Sequence, residues 1–296
     1  MGSFLESWRY LPFQISPNLL EIGSFQLRYY SLMYLVAFGV TYGLVRNRIR
    51  REGYPYAPEQ VQDYFVWAIA GLILGARLGY VLFYNFSYYL RHPLEIFLPF
   101  EFANGIRFVG ISGMSYHGGT IGVIVATMLF CRRQGMRFWN WADLFAPAIP
   151  LGYTFGRIGN FINGELYGRA TDVPWGMIFP LDPEHLVRHP SQLYEALGEG
   201  VILFLLLWLI RRKSPYDGFL FGLYVIGYGT VRFVIEYFRE PDAQLGLFLG
   251  LFSMGQLLCL LMITGMPISI ALGLTVLTFL FTMTQVPLES VALKLF

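Results

Sequence analysis

The chain alternates long apolar runs with short polar or basic segments. A helix needs about 20 apolar residues to cross a bilayer, and several runs reach that length. The first predicted span covers residues 27–45 and ends in Arg46-Asn47-Arg48-Ile49-Arg50-Arg51. The second, 61–84, carries Gly71, Gly75 and Gly79 on one helical face. Such a small-residue stripe lets two helices approach closely. Arg77 lies within this span and must turn inward or find a partner. The third span, 114–130, ends in Arg132-Arg133, with Arg137 close behind. The fourth, 141–161, contains Pro147 and Pro150, which predict a kink because each removes a backbone donor. The fifth, 191–210, ends in Arg211-Arg212-Lys213, and the sixth runs over 218–237. A last apolar region, 245–283, is broken by Pro267. Residues 1–17 are aromatic and mixed and read as an interfacial segment. Residues 85–113 are too long and too polar for a turn and predict a small extramembrane substructure. Residues 163–190 form a polar loop.

Composition agrees with a membrane protein. Of 296 residues, 55% are hydrophobic and 14% charged, against about 25% charged in a soluble domain. Mean hydropathy is +0.51. The net charge of +2 implies no nucleic-acid partner. Cys131 and Cys259 sit in or beside apolar runs and offer neither a disulfide framework nor a metal pattern. Residues 1–17 lack the basic leader and apolar core of a cleaved signal. The expected fold is therefore an all-α polytopic membrane protein. Each basic cluster follows an odd-numbered span, and cytoplasmic loops carry the Lys/Arg excess. This predicts an outer, periplasmic amino terminus in a bacterial inner membrane.

The chemistry concentrates in Gly156-Arg157-Ile158-Gly159-Asn160-Phe161-Ile162-Asn163-Gly164-Glu165-Leu166-Tyr167-Gly168-Arg169. Four glycines, two arginines, two asparagines and a glutamate occupy fourteen positions. An arginine at membrane depth needs protein, water or an anion beside it, so the stretch reads as a polar site for an anionic head group. The competing reading is a helix end where Arg157 snorkels and Asn160 caps. On the sixth span Tyr228, Arg232 and Glu236 share a face. Two arginines, Arg157 and Arg232, suit a phosphate through bidentate hydrogen bonds. Glu236 fits equally an internal pair with Arg232. His117, in Ser115-Tyr116-His117-Gly118-Gly119, is a candidate general base because imidazole titrates near neutrality. It also fits a packed interfacial histidine. In His189-Pro190-Ser191-Gln192-Leu193-Tyr194-Glu195, Ser191 is expected to cap the fifth span and Glu195 to answer its dipole. Gln192 and Tyr194 are within reach of a lipid head. His92 and His185 read as solvated loop residues. The sequence has no zinc-binding His-Glu-x-x-His, no Gly-x-Ser-x-Gly elbow and no P-loop. An enzyme built from it would use a nucleophile that its substrate brings. A transporter is a second reading, though no internal repeat is visible. An intramembrane protease would need a serine–histidine pair or a metal motif.

The motif Gly156-Arg157-x-Gly159-Asn160-Phe161-x-Asn163-x-Glu165-x-x-Gly168 resembles the signature of bacterial prolipoprotein diacylglyceryl transferases. The likeness continues through 28–34, 75–80, 113–119, 188–195, 227–242 and 253–256. The resemblance implies seven transmembrane helices and transfer of the sn-1,2-diacylglyceryl group of phosphatidylglycerol to the lipobox cysteine of a preprolipoprotein signal peptide. A thioether forms and glycerol 1-phosphate leaves. It implies catalytic roles for His117, Arg157 and Arg232. Tyr30, Asn160, Asn163, Glu165, Gly168, Tyr228 and Glu236 would bind substrate or shape the site. No metal or other cofactor is implied. Residues 1–264 would be the membrane-embedded transferase domain. Residues 265–296 depart from it as an atypical apolar tail, similar to a segment of the large membrane subunit of tripartite dicarboxylate transporters.

Overall fold

A computed structural model describes residues 2–22, 25–84, 86–98, 100–101, 107–108, 113–240 and 254–264. The expected tail from residue 265 lies outside them. Two short helices, α1 (Gly2–Arg9) and α2 (Leu11–Gln14), precede an antiparallel ladder of β1 (Asn18–Ile22) and β2 (Phe25–Arg28). The long helices α3 (Tyr29–Glu52) and α4 (Pro58–Tyr84) follow. Next come α5 (Phe86–Arg91), a 3-10 turn at Pro93–Ile96 and a second small ladder of β3 (Phe100–Glu101) with β4 (Arg107–Phe108). Then come α6 (Tyr116–Arg133), α7 (Phe138–Phe145) and α8 (Ile149–Asn163). Helix α9 (Ser191–Glu195) passes through a π-helical segment, Ala196–Ile202, into α10 (Leu203–Ile210). Helices α11 (Phe219–Ile235) and α12 (Met254–Ile263) complete the described chain.

The protein is thus mostly helical, with two short ladders that the all-α expectation did not include. Among the described residues, Pro58–Leu82 and Ser191–Ile210 are long and apolar enough to cross a membrane, and Phe219–Ile235 is a shorter apolar helix. The first expected span starts and ends later than its apolar run. Residues 27 and 28 belong to β2, and the arginine cluster continues α3 until Gly53 closes it in the left-handed conformation, φ 74°. Arginine is a good helix former, so charge alone does not end the helix. The expected kink at Pro147 and Pro150 is a full break between α7 and α8. Residues 1–17 do more than coat a surface. Trp8, Leu11 and Ile15 pack on a core of Phe161, Met177 and Phe179.

The described residues fall into two packing units: those up to Tyr54 together with those from Ala142 onward, and those from Pro55 to Trp141. In the second unit the glycine stripe packs α4 against α6. A Cβ on Gly75 would meet the carbonyl oxygen of Gly118 and lie 2.6 Å from the Gly122 Cα. Arg77 turns inward, donating from Nε to the Ile96 carbonyl (2.8 Å) and from Nη2 to that of Glu95 (2.5 Å). It ties α4 to the 3-10 turn at Pro93–Ile96. Gly75→Leu is expected to cost about 1–3 kcal/mol, since overpacking forces the helices apart. A lowered thermal midpoint in detergent would register this. Gly39→Ala, with nothing within 4 Å of the added methyl, should leave the midpoint unchanged or raise it.

In the first unit, one end of the helices is fastened by buried Arg48. Its Nη1 donates to the carbonyls of Asp143 (2.7 Å) and Leu144 (2.6 Å), satisfying the end of α7. The Asp143 carboxylate in turn accepts from the amides of Gly218 and Phe221, both at 2.8 Å, and so caps α11. Glu52 joins Arg48 to Arg211, each at 2.8 Å. The arginine-rich end of α3 and the start of α11 therefore share one level. The 17 residues of α11 rise about 25 Å and carry Arg232 toward the far end.

Candidate active site

That far end holds a cluster of buried charges from α8, α9, the π-helical segment and α11. Glu195, with no exposed surface, is its hub. Its Oε2 lies 2.7 Å from Arg157 Nε and 3.3 Å from Arg232 Nη1, and its Oε1 lies 3.2 Å from Arg239 Nη1. Glu236 adds a second carboxylate, 3.3 Å from Arg232 Nε and 3.7 Å from Arg239 Nε. Glu199, also fully buried, lies 3.6 Å from Arg232 Nη1. Three arginines thus face three glutamates. Burying so many charges is tolerable only because each has an opposite partner. Arg157 also donates from Nε to the Tyr153 hydroxyl (2.6 Å) and from Nη1 to Asn160 Oδ1 (3.2 Å). Tyr228 stands edge-on to Tyr153, with ring centroids 6.1 Å apart.

Gly164 shapes the turn beyond α8. In the left-handed conformation, φ 71°, it lets the Glu165 amide reach back to the Asn160 carbonyl at 3.1 Å, a helix stop that favours glycine. The Glu165 carboxylate then folds over the last turn and accepts from Asn160 Nδ2 (2.8 Å) and Asn163 Nδ2 (3.4 Å). Buried Gln192 donates to the Glu165 carbonyl (2.7 Å), and buried Ser191 to that of Leu166 (3.0 Å). These two bonds hold Leu166 at φ 59°, an uncommon conformation for leucine. Gly168 acts through its backbone. Its amide donates to the His189 carbonyl (2.8 Å), the next amide donates to that of Phe238 (2.9 Å), and a Cβ would strike the Phe238 oxygen. Tyr30 reaches α8 from α3, where a Cβ on Gly159 would lie 3.0 Å from its ring.

Most of the residues singled out in the sequence therefore come together. Arg157, Arg232, Asn160, Asn163, Glu165, Tyr228 and Glu236 share the neighbourhood. Tyr30 packs on the same helix, and Gly168 joins the segments that carry them. His117 lies in the first turn of α6, in the other packing unit, and its side chain is outside the described residues. The expected roles of two residues change. Ser191 does not cap α9. Pro190 occupies the cap position, and the serine hydroxyl donates to Leu166 instead. Glu195 does more than answer a helix dipole, since it bridges three guanidiniums. Glu199 and Tyr153 are not among the residues the sequence marks, and Arg239 is marked only within the 227–242 likeness. Glu195 and Glu199, one turn apart in an otherwise apolar span, are the signal that points to them. Gln192 and Tyr194 are spoken for. Tyr194 Oη accepts from Trp175 Nε1 at 2.8 Å. His185 is exposed, and His92 stacks on Tyr88 with centroids 4.5 Å apart.

The 163–190 loop is fastened by Arg188, which holds Asp182 through two hydrogen bonds (2.8 and 3.0 Å) and reaches Glu184 (2.8 Å) and Glu240 (2.9 Å). Burial alone would raise the Asp182 carboxyl. The Arg188 bonds and the Glu184 and Leu186 amides outweigh it and hold the group below the ordinary carboxylate value. Its contribution to stability is thus complete above the unfolded value, near 3.9, and is lost as pH falls through the lower folded value. The thermal midpoint should drop on acidification below about pH 4, and Asp182→Asn should shrink that drop.

Comparison with known proteins fits this geometry. Residues 17–272 match the family of prolipoprotein diacylglyceryl transferases. A Chlorobaculum tepidum protein named phosphatidylglycerol–prolipoprotein diacylglyceryl transferase is 53% identical over 266 residues, covering 90% of this chain and 92% of the relative. Relatives of the same name from Geobacter sulfurreducens and Wolinella succinogenes are 49% and 46% identical, covering 82% and 86% of this chain and 90% and 92% of their own lengths.

Proposed function

Because the chain belongs to the prolipoprotein diacylglyceryl transferase family, a family of membrane enzymes, we propose that its Arg157–Arg232 cluster is where phosphatidylglycerol gives up its diacylglyceryl group. The enzyme moves that group from phosphatidylglycerol to the cysteine thiol of a preprolipoprotein. One carbon–oxygen bond breaks and one carbon–sulfur bond forms. The thiolate becomes a neutral thioether, and the phosphodiester monoanion leaves as a glycerol phosphate dianion. Negative charge therefore grows on the phosphate in the transition state. Fixed cations aimed at that charge lower the barrier more than they tighten ground-state binding.

One observation carries this assignment. Guanidiniums from α8 and α11 converge on the same oxygen of Glu195, at 2.7 and 3.3 Å. The glutamates, with Tyr153 and Asn160, engage the two guanidiniums through Nε and Nη1. Nη2 of each is the donor we assign to the phosphate, so that the lipid is held without dismantling the cluster. Asn160, Asn163 and Glu165 shape the wall beside Arg157, Tyr228 and Glu236 the wall beside Arg232. Tyr30 and Gly168 hold the neighbouring backbone in place. His117 is the proton acceptor for the incoming thiol, which must ionise to attack. Its support is its residue type and its place at the start of α6.

The finer topology follows from charge. The arginine-rich ends of α3 and α10 meet at Glu52–Arg211, and cytoplasmic ends carry the Lys/Arg excess. Seven spans with a periplasmic amino terminus put the Glu195 cluster toward the periplasmic side of the inner membrane. The signal peptide and the lipid both arrive from within the bilayer. By sequence, residues 265–296 read as an apolar tail following a transferase domain of residues 1–264. The test is direct. Purified protein, phosphatidylglycerol and a lipobox peptide should yield a mass gain of one diacylglyceryl group on the cysteine, with release of glycerol phosphate. An unmodified peptide would overturn the proposal.

A further inference from the structure

Tyr153 and Glu199 stand behind the two arginines and have no part in the reaction as described above. Tyr153 is one helical turn before Arg157, on the same face of α8. The Arg157 guanidinium carbon lies 4.8 Å from the Tyr153 ring centroid, within cation–π range. The Tyr153 hydroxyl accepts from Arg157 Nε at 2.6 Å and donates to Glu199 Oε2. Glu199 Oε1 lies 3.6 Å from Arg232 Nη1. A second path, beside the direct one through Glu195, thus runs from Arg157 through a phenol and a buried carboxylate to Arg232. It crosses three helical segments. The phenol O–H donates to Glu199 Oε2, with Glu195 Oε2 a second acceptor 3.3 Å away, while its oxygen accepts from Arg157. The hydrogen bonds that meet at the phenol strengthen one another, and the link from Glu199 to Arg232 is an ion contact. Glu195 and Asn160 also hold Arg157, but the Tyr153 ring adds a contact against the face of its guanidinium and the Tyr153 hydroxyl a further acceptor at Nε.

We propose that Tyr153 and Glu199 act together as positioning residues, setting the orientation of Arg157 relative to Arg232. This rests on the reading of those two arginines as the phosphate clamp. A misaligned clamp loses transition-state charge stabilisation while still attracting the lipid. Positioning errors of this kind cost about 100-fold in rate at the upper end. Loss of a merely structural contact would instead lower the folded fraction and leave the turnover of folded enzyme intact.

The test measures kcat and KM for phosphatidylglycerol with a lipobox peptide in folded, detergent-purified variants. Tyr153→Phe keeps the ring and removes the hydroxyl. Its kcat should fall about 10- to 100-fold, with KM within about threefold of wild type. Glu199→Gln, which keeps an acceptor for the phenol, should lose less than Glu199→Ala. The Tyr153→Phe/Glu199→Ala double variant should be no slower than the slower single, because the pair acts as one unit. A kcat for Tyr153→Phe within about twofold of wild type, or a double variant whose losses multiply, would overturn the proposal. Should Tyr153→Phe fail to fold, the two Glu199 variants decide alone, and equal losses in them overturn it. Arg157→Ala separates this proposal from the one beneath it. An active Arg157→Ala removes the clamp itself. An inactive Arg157→Ala beside a fully active Tyr153→Phe removes only the positioning pair.

Discussion

Arg157→Ala is expected to lose diacylglyceryl transfer by about 100- to 1,000-fold, the loss seen when one fixed donor to a developing anion is removed. The protein should still insert and fold, because Glu195 retains Arg232 and Arg239 as partners. Arg157→Lys should rescue little. An ammonium is a compact point charge. It cannot donate to Tyr153 and Asn160 from one plane and still offer a parallel donor to phosphate. The peptide mass assay measures each variant, and thermal unfolding in detergent shows that each is folded. Near-normal lipidation by Arg157→Ala would remove the clamp from the mechanism.

Glu195→Ala is expected to have the largest effect on stability. Removing one partner of a buried ion pair costs about 3–5 kcal/mol, because the opposite charge is stranded. Here one carboxylate serves three guanidiniums, so its loss leaves three cations facing Glu199 and Glu236. A thermal midpoint many degrees below wild type, or failure to accumulate in the membrane, is the expected result. Glu195→Gln keeps the volume and an acceptor oxygen and should fall between. A midpoint unchanged in Glu195→Ala would mean that the arginines are held by something other than this carboxylate.

Much of the site was legible in the chain. Arg157 and Arg232 stood out because guanidinium groups in apolar runs demand an explanation, and the glycines around Arg157 marked close backbone approach. The glycine stripe of α4 read correctly as a helix contact. What the pattern could not supply was which faces meet. Glu195 looks like an ordinary first-turn acid until α8 and α11 are seen to bring their arginines to it. Glu199 carries no motif, and only its burial one turn further on reveals its use. Ser191 looks like a cap by residue type, but Pro190 takes that position and frees the hydroxyl for Leu166. Pro147 and Pro150 announced a disturbance and not its size. Two prolines three residues apart leave too few amides to carry a helix across, and α7 ends before α8 begins. His117 remains legible by type and position alone.

The π-helical segment Ala196–Ile202 has a mechanical consequence. Its i→i+5 bonds fit an additional residue into the coil, so the helix beyond it is out of phase with the helix before it. The crowding there is tight on two sides. A methyl on Gly198 would lie 2.8 Å from Val231, and one on Gly200 would strike Thr154. Were the same seven residues wound as ordinary α-helix, everything downstream would rotate by about 100°, carrying Leu203 and Leu207 out of their packed positions. The wide winding of those seven residues is therefore a gear setting: it keeps the acidic half and the oily half of one rod facing the directions each requires.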